Sequence, residues 1–483
     1  MFYTPTHLPT VLIQFWFSDV CPMWCIFDSD ANYNRRFAYK SWASSEAVYF
    51  AVQSMSAACM LDTLPTLTPV LSSLTTKALT VIRSQVSSFW ATPRLATLTI
   101  PADLLFAIFA MGTSLHWKFG YELGGSLIKD AQCIIGHYKG KLPVMSVPDR
   151  EHLAYFQKAL ICWEGLLCAA DRDFIPVSLT TRRNAHRSRI RADLNEAMPL
   201  ELQFGPSNLP MNELELHPWC GVSSEVLQKF GQVMSLCHLA RRRRENIVQD
   251  IELELRCDTG VARELASELK VMNFNVNSHW INTGGLYTST NDSDTPITHL
   301  LDIAEAYRQA CFLQLCLTFD DIPIDDSAHP GIGIPTSSNE QFGNQIPLTR
   351  VQRLIALSLR LTEQLKKIPA ESGSRCMQPI LYLCAACGLQ IDSPPQFQDP
   401  TNNQEPDFAA ATFTLSALKV AQARSFVKKR LGVLQQLLPP RYTGTALRLA
   451  EAIWAEYDRT AGGGSPLYWF DVMVRERLQT FFG

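Results

Sequence analysis

Apolar residues in this chain return every third or fourth position in stretch after stretch, and runs that alternate apolar with polar residues are almost absent. The first spacing puts side chains on one face of an α-helix, whereas a half-buried strand needs the second. The expected fold is therefore all-α, either a large multi-helix bundle or a stacked array of helical pairs, joined by long polar loops. Val48, Val52, Met55 and Cys59 show the pattern in Ser44–Met60, and Val351, Leu354, Leu357, Leu361 and Leu365 show it in Thr349–Lys367. Leu216–Arg256 adds a turn to it. There Pro218 fixes φ, and Gly221 permits a positive φ or the close approach of another backbone. Ser223 and Ser224 are N-cap candidates, and Glu225 suits the positive end of a helix. Val226, Leu227, Phe230, Val233, Met234 and Cys237 then continue at helical spacing.

The same reading expects helices over Leu71–Trp90, from Pro101 to about Trp117, through Ile128 and Ile134 to Tyr138, and over Asp149–Ala170. Further helices are expected over Thr298–Phe319, Ala409–Leu438, Gly444–Thr460 and Trp469–Phe482, with a short buried segment at Met377–Leu389. Met1–Arg36 carries Phe15, Trp16, Phe17, Trp24 and Phe27, which would aggregate if left exposed. It should pack onto the body as a short helix and turns. Gly120 and the Gly124-Gly125 pair mark a bend. The chain is read as one domain, 1–483, with helical subregions at about 1–170, 213–320 and 349–483. Loops are expected at 171–212, 282–296, 320–348 and 390–408, and Gly462–Gly464 as a break between the last two helices. No internal repeat of solenoid period is visible.

Composition narrows the function classes. The 483 residues carry a formal net charge of −3, with 47% hydrophobic and 18% charged residues, which gives no basis for nucleic-acid binding by the chain as a whole. The 14 cysteines are scattered, and Cys59, Cys162, Cys237, Cys311 and Cys316 fall on apolar helical faces, as expected of small hydrophobes in a reducing compartment. The run Val11–Phe17 has no basic residues before it and meets Asp19, so no cleaved signal peptide is expected. Leu104–Leu115 is about half of what a membrane span requires.

Four stretches carry a resemblance to a known family. HPWCGVSSEVLQKFGQVMSLCHLA, from His217, resembles the central turn and helix of the fungal-specific transcription factor regulatory domain, which usually follows a zinc binuclear cluster. THLLDIAEAYRQACFLQLCLTF, from Thr298, is similar to that family's helix in which Glu305, Ala306, Tyr307, Arg308 and Ala310 introduce buried aliphatics. Trp42–Asp62 looks like the family's first core helix and Tyr468–Phe482 like its closing one. Gln378-Pro379 departs from the family pattern, which has an aromatic residue before the proline. The six-cysteine cluster that binds two zinc ions is not among these residues. The sequence leaves open whether that module lies outside the chain or the protein acts without one.

The resemblance implies a nuclear regulatory domain that controls transcription by RNA polymerase II and is not an enzyme. Its expected partners are the transcription machinery or related regulators, in a homodimer or heterodimer, together with a small apolar ligand. Neither direct DNA binding by this chain nor a membrane association is expected. The alternative is a helical interaction module with no DNA target of its own. A third reading starts from FDDIPIDD, with Asp320, Asp321, Asp325 and Asp326, which resembles the aspartate-rich patch that holds magnesium and diphosphate in terpene cyclases. Against it, Ile324 replaces a further aspartate, Pro323 interrupts the helix, and no Asn/Ser/Glu triad follows.

Cys384-x-x-Cys387 and Cys21-x-x-x-Cys25 are too far apart, in surroundings too apolar, for a structural zinc site. The basic string Arg182, Arg183, His186, Arg187, Arg189 and Arg191 is read as a solvated linker, and Arg241–Arg244 as solvated or partner-facing charge. His217 is expected to be a hydrogen-bonded structural residue. No catalytic, cofactor-binding or metal-ligating residue is assigned, and no cofactor.

Overall fold

A computed structural model describes residues 7–92, 98–117, 124–195, 216–245, 251–274, 289–324, 348–391, 408–459 and 467–480. The described residues form an all-α assembly without strands. Its N-terminal part is α1 (Leu8–Phe15), α2 (Cys21–Trp24), α3 (Tyr33–Ser41), α4 (Glu46–Met60), α5 (Thr68–Ala91), α6 (Ala102–Ser114), α7 (Gly124–Lys139) and α8 (Val147–Ala170). There follow α9 (Val177–Asn195), α10 (Ser224–Glu245), α11 (Ile251–Val271), α12 (Ile297–Thr318), α13 (Arg350–Lys366), α14 (Pro379–Ala386), α15 (Phe408–Leu437), α16 (Pro440–Arg459) and α17 (Trp469–Arg475).

Local chemistry sets many helix starts. Asn32 accepts from the amides of Asn34 and Arg35 at the head of α3, and Ser45 accepts from Val48 at the head of α4. Thr349 and Gln352 make a reciprocal capping box on α13. Ser223 accepts from Val226 at 3.4 Å and opens α10.

The helices pack in succession. α4 lies between α5 and α6, α7 joins α6 to α8, and α10 lies between α8 and α12. α13 and α14 then carry the packing from α12 to α15 and α16. One cluster of buried apolar side chains runs from Ile13 to Leu478 through all of these helices. At the crossing of α8 with α10 the backbones nearly touch. A Cβ added to Gly231 would lie 3.1 Å from the Cα of Gly165, and one added to Gly165 would lie 3.0 Å from the Leu227 carbonyl oxygen. Small residues are required there because the nearest neighbour of each added Cβ is a backbone atom, which cannot swing aside.

Three expectations are corrected. The loop expected at 171–212 contains α9, so the basic string is helical and is not a linker. Period analysis misses it because the face it presents to α11 is charged, and Leu179 is the fully buried apolar residue among its described side chains. The closing helix, expected to reach Phe482, ends at Arg475. Arg477 takes φ +54°, and bonds from Leu478 N–H to the Met473 carbonyl and from Arg477 N–H to the Val474 carbonyl close it. This is the Schellman arrangement, here with arginine at the left-handed position. α7 opens at Gly124, so the glycine pair begins that helix and does not precede it. Of the other expected loops, 289–296, 319–324 and 390–391 are non-helical. Gly120, residues 196–212, 282–288, 325–347 and 392–407, and Gly462–Gly464 lie outside the described residues.

His238 of α10 fastens the C-terminal end. Its ring meets Phe470 edge-on at 4.4 Å and its Nδ1 lies 2.5 Å from the Tyr468 hydroxyl. Burial pushes its pKa down to about 3 from an ordinary 6.5. Between those values the unfolded chain binds a proton that the folded protein refuses, so this contribution to stability is complete above 6.5 and is lost as pH falls towards 3.

Three outcomes are expected in urea titrations. Gly231→Val should destabilise by about 1–3 kcal/mol through overpacking, whereas Gly136→Ala, where an added Cβ meets nothing within 4 Å, should stabilise by up to about 1 kcal/mol. His238→Phe should give a shallower loss of stability between pH 6.5 and pH 3 than the parent chain; an unchanged slope would remove His238 as its source.

Candidate functional site

The turn before α10 is held from every side. His217 and Gly221 exchange backbone hydrogen bonds of 3.1 and 2.9 Å, the β-bridge of the described residues. Gly221 takes φ +63°, and a Cβ there would lie 3.1 Å from Ile26 Cδ1, so both the backbone angle and the packing call for glycine. His217 Nδ1 accepts from the amides of Trp219 and Cys220 at 3.1 and 3.2 Å. Its Nε2 therefore carries the proton and donates to the Tyr155 carbonyl at 3.2 Å, with the two rings stacked at 4.6 Å. The Ile26 amide donates to the Pro218 carbonyl at 2.9 Å. His217 is thus hydrogen-bonded within the turn and to α8, as expected of it, while Pro218 ties the turn to the N-terminal segment.

Trp219 projects from this turn. Its ring meets Trp24 edge-on at 4.7 Å and lies 5.6 Å from Phe109, which is also 5.4 Å from Trp163. Trp24, Trp163 and Trp219, with Met23, Leu166 and Met377, enclose a cavity. It encloses about 40 Å³. Trp24 Nε1 donates to Thr113 Oγ1 at 3.0 Å, while Trp163 Nε1 and Trp219 Nε1 are buried with no hydrogen-bond partner among the described residues. The Cys162 thiol is pushed well above its ordinary value by its hydrogen bond with Cys220 and by burial, and burial raises that of Cys376. Both line the cavity as protonated, weakly polar groups. These thiols supply no nucleophile near neutral pH.

Sequence reasoning missed this gathering. Trp24, Trp163 and Trp219 come from three separate elements, and no spacing in the chain links them. The turn itself was the available signal. Tyr307, in the second family-like helix, donates from its hydroxyl to the Met377 carbonyl at 3.0 Å and so buttresses one wall. Arg308, beside it, pairs with Glu305 at 2.6 Å and donates to the Leu269 carbonyl at 3.1 Å, which satisfies an unpaired carbonyl in the last turn of α11.

Most side chains of the two basic stretches are engaged within the chain. On α9, Arg182 pairs with Glu264 and, at 2.7 Å, with Glu268; Arg183 pairs with Glu254 and Asp258 at 2.7 and 2.9 Å. His186 meets Glu264 at 2.5 Å and Arg187 meets Glu254 at 2.6 Å. Arg189 and Arg191 are exposed. From α10, Arg243 reaches across to Glu254 at 2.6 Å and to Asp258, Arg241 pairs with Asp471, Arg242 with Asp173, and Arg244 donates to the Thr318 carbonyl. Burial opposes the charge on Glu254, but the hydrogen bond from Arg187 and the charges of Arg243, Arg187 and Arg183 hold its pKa below the ordinary value. Fully buried Asp258, by contrast, is pushed up by desolvation against the pull of the same Arg183 and Arg243.

The other groups weighed from the sequence do not converge. Asp320 and Asp321 are exposed, and pair with Arg350 at 3.2 Å and Arg263 at 3.8 Å; Asp325 and Asp326 lie outside the described residues. Upstream of these, a residue not singled out above, Asp292, accepts from the amides of Asp28 and Asp294, and so ties its turn to the N-terminal segment. Cys21, Cys25, Cys384 and Cys387 are buried, and no group of three or more possible metal ligands occurs among the described residues. No helix among them is long and apolar enough to cross a membrane.

Removing the buried carboxylate of Asp258 leaves Arg183 and Arg243 to share Glu254, which already serves Arg187. Asp258→Ala should therefore destabilise by about 3–5 kcal/mol in a urea titration, while Asp320→Ala should stay within about 0.5 kcal/mol of the parent. Equal effects would show that the contact between α9, α10 and α11 contributes nothing beyond surface charge.

Comparison with known proteins agrees with this layout. No curated protein and no solved structure matches the chain. A family model described as the fungal specific transcription factor domain matches residues 175–483. That segment contains α9 to α17 and the His217–Gly221 turn, whereas Trp42–Asp62, likened above to the family's first core helix, precedes it. The match extends over well over half of the chain, and the protein belongs to the fungal specific transcription factor domain family.

Proposed function

We propose that the chain is the ligand-responsive regulatory body of a nuclear transcription factor that controls transcription by RNA polymerase II. Membership of the family supports a regulatory role in transcription. The observation that carries the finer reading is the position of Trp219, which belongs to the turn joining the N-terminal segment, α8 and α10 and also forms a wall of the cavity. Any molecule that fits one arrangement of that turn better than another shifts the balance between them. The shift would expose or cover a surface for the transcription machinery or for a related regulator, in a homodimer or heterodimer. Because Arg182, Arg183 and Arg187 of α9 and Arg241 to Arg244 of α10 are engaged within the chain, DNA contact falls to another module or another protein.

The test is a reporter assay in a fungal host, with residues 1–483 fused to a heterologous DNA-binding domain. We expect the fusion to change reporter transcription several-fold relative to the DNA-binding domain alone, and Trp219→Ala to alter that level at equal protein abundance. A fusion indistinguishable from the DNA-binding domain alone would overturn the reading.

A further inference from the structure

We propose that Cys162 and Cys220 form a modification site, a thiol pair that a small-molecule disulfide converts into a disulfide bond between α8 and the turn before α10. The inference goes beyond the ligand-responsive reading and does not depend on it. Its basis is the placement of the two sulfurs.

Each thiol lies against the other's main chain. Cys220 Sγ is 3.0 Å from the Lys158 carbonyl oxygen, one helical turn before Cys162 on α8. Cys162 Sγ is 3.8 Å from the carbonyl oxygen of Trp219, whose peptide bond leads into Cys220. The two thiols also hydrogen-bond to each other. A disulfide requires side chains that face one another across a short backbone separation, and these reciprocal contacts describe such a pair. Bond formation needs room as well, because bonded sulfurs sit about 2.05 Å apart, closer than hydrogen-bonded thiols. Cys162 lines the cavity beside Trp24 and Trp219, so its sulfur borders free space in which to turn.

The neighbouring pair differs. Cys21 and Cys25 stand four residues apart in one segment, and they accept from Asn32 Nδ2 at 3.6 Å and from Asn34 Nδ2 at 3.3 Å. A bond between them would join nothing that the chain does not already join. A bond between Cys162 and Cys220 would close a ring that contains α9, and would hold the turn on α8 even where the ion pairs of α9 give way.

In the closed turn Cys162 stays protonated, and it and Cys220 are only 4% and 8% exposed. Exchange therefore begins when the turn opens. The Cys220 thiolate attacks one sulfur of glutathione disulfide, whose S–S bond breaks, and the first glutathione leaves and takes up a proton. The Cys162 thiolate then attacks the Cys220 sulfur of the mixed disulfide and releases the second glutathione. The protein gives up two electrons and two protons, and glutathione disulfide receives them as two thiols.

The test equilibrates the purified 483-residue chain, without oxygen, in mixtures of reduced and oxidised glutathione, both in buffer and in concentrated urea. Samples are quenched with acid, alkylated and digested, and the linked peptides carrying Cys162 and Cys220 are measured by mass spectrometry. We expect this link to be the first disulfide formed in buffer, with an equilibrium constant roughly tenfold or more above its value in urea. The same factor must reappear in folding, so the oxidised chain should unfold at a higher urea concentration than the reduced one. Cys162→Ser and Cys220→Ser should each abolish the link, and Cys21→Ser should leave it intact. Equal constants in buffer and urea, a Cys21–Cys25 bond formed in its place, or an oxidised chain less stable than the reduced one would overturn the proposal. The comparison of buffer with urea stands on the parent chain alone if a variant fails to fold.

Discussion

Gly165 and Gly231 let α8 and α10 cross with almost nothing between their backbones, and the centre of the molecule follows from that contact. Because α10 is drawn against α8, the turn that precedes it comes down over the same helix, where His217 reaches the Tyr155 carbonyl and Cys220 Sγ lies 3.0 Å from the Lys158 carbonyl. On its other side α10 meets α12, with Phe230 edge-on to Tyr307 at 5.0 Å. A bulkier pair at the crossing would separate the two halves of the core and displace Trp219 from the wall it shares with Trp24 and Trp163.

Much of this was legible in the sequence, and the reason is that most of its helices bury apolar faces. The repeated valines, leucines and methionines of α4, α12 and α13 announce helices directly, and Pro218 and Gly221 announce the turn. α9 was not legible because it docks through ion pairs, and a helix whose inner face carries Arg182, Arg183, His186 and Arg187 has the composition of a linker. The end of α17 was hidden for a different reason. Arginine, unlike glycine, gives no notice of the left-handed conformation that Arg477 adopts. The cavity could not be read at all, since it depends on the relative placement of Trp24, Trp163 and Trp219.

Two kinds of contact thus operate in one chain. The crossing of α8, α10 and α12 is an apolar packing problem, solved by small residues and large rings. The contact between α9 and α11 is electrostatic, and its partners are mutually dependent: Glu254 serves Arg183, Arg187 and Arg243 together, and Glu268 serves Arg182 and Lys229. Removing one member therefore disturbs the pairing of the rest, and pairwise effects in this group should not add.

With Leu179 as its fully buried apolar anchor among the described side chains, α9 is joined to the body largely through ion pairs; salt screens the more exposed ones, such as Arg182–Glu264, more than the buried Arg183–Asp258 pair or the apolar core. Raising ionic strength would quicken hydrogen exchange along Val177–Arg191 long before it reached the amides of α8 or α10, which makes this arm the part of the molecule most responsive to its ionic surroundings.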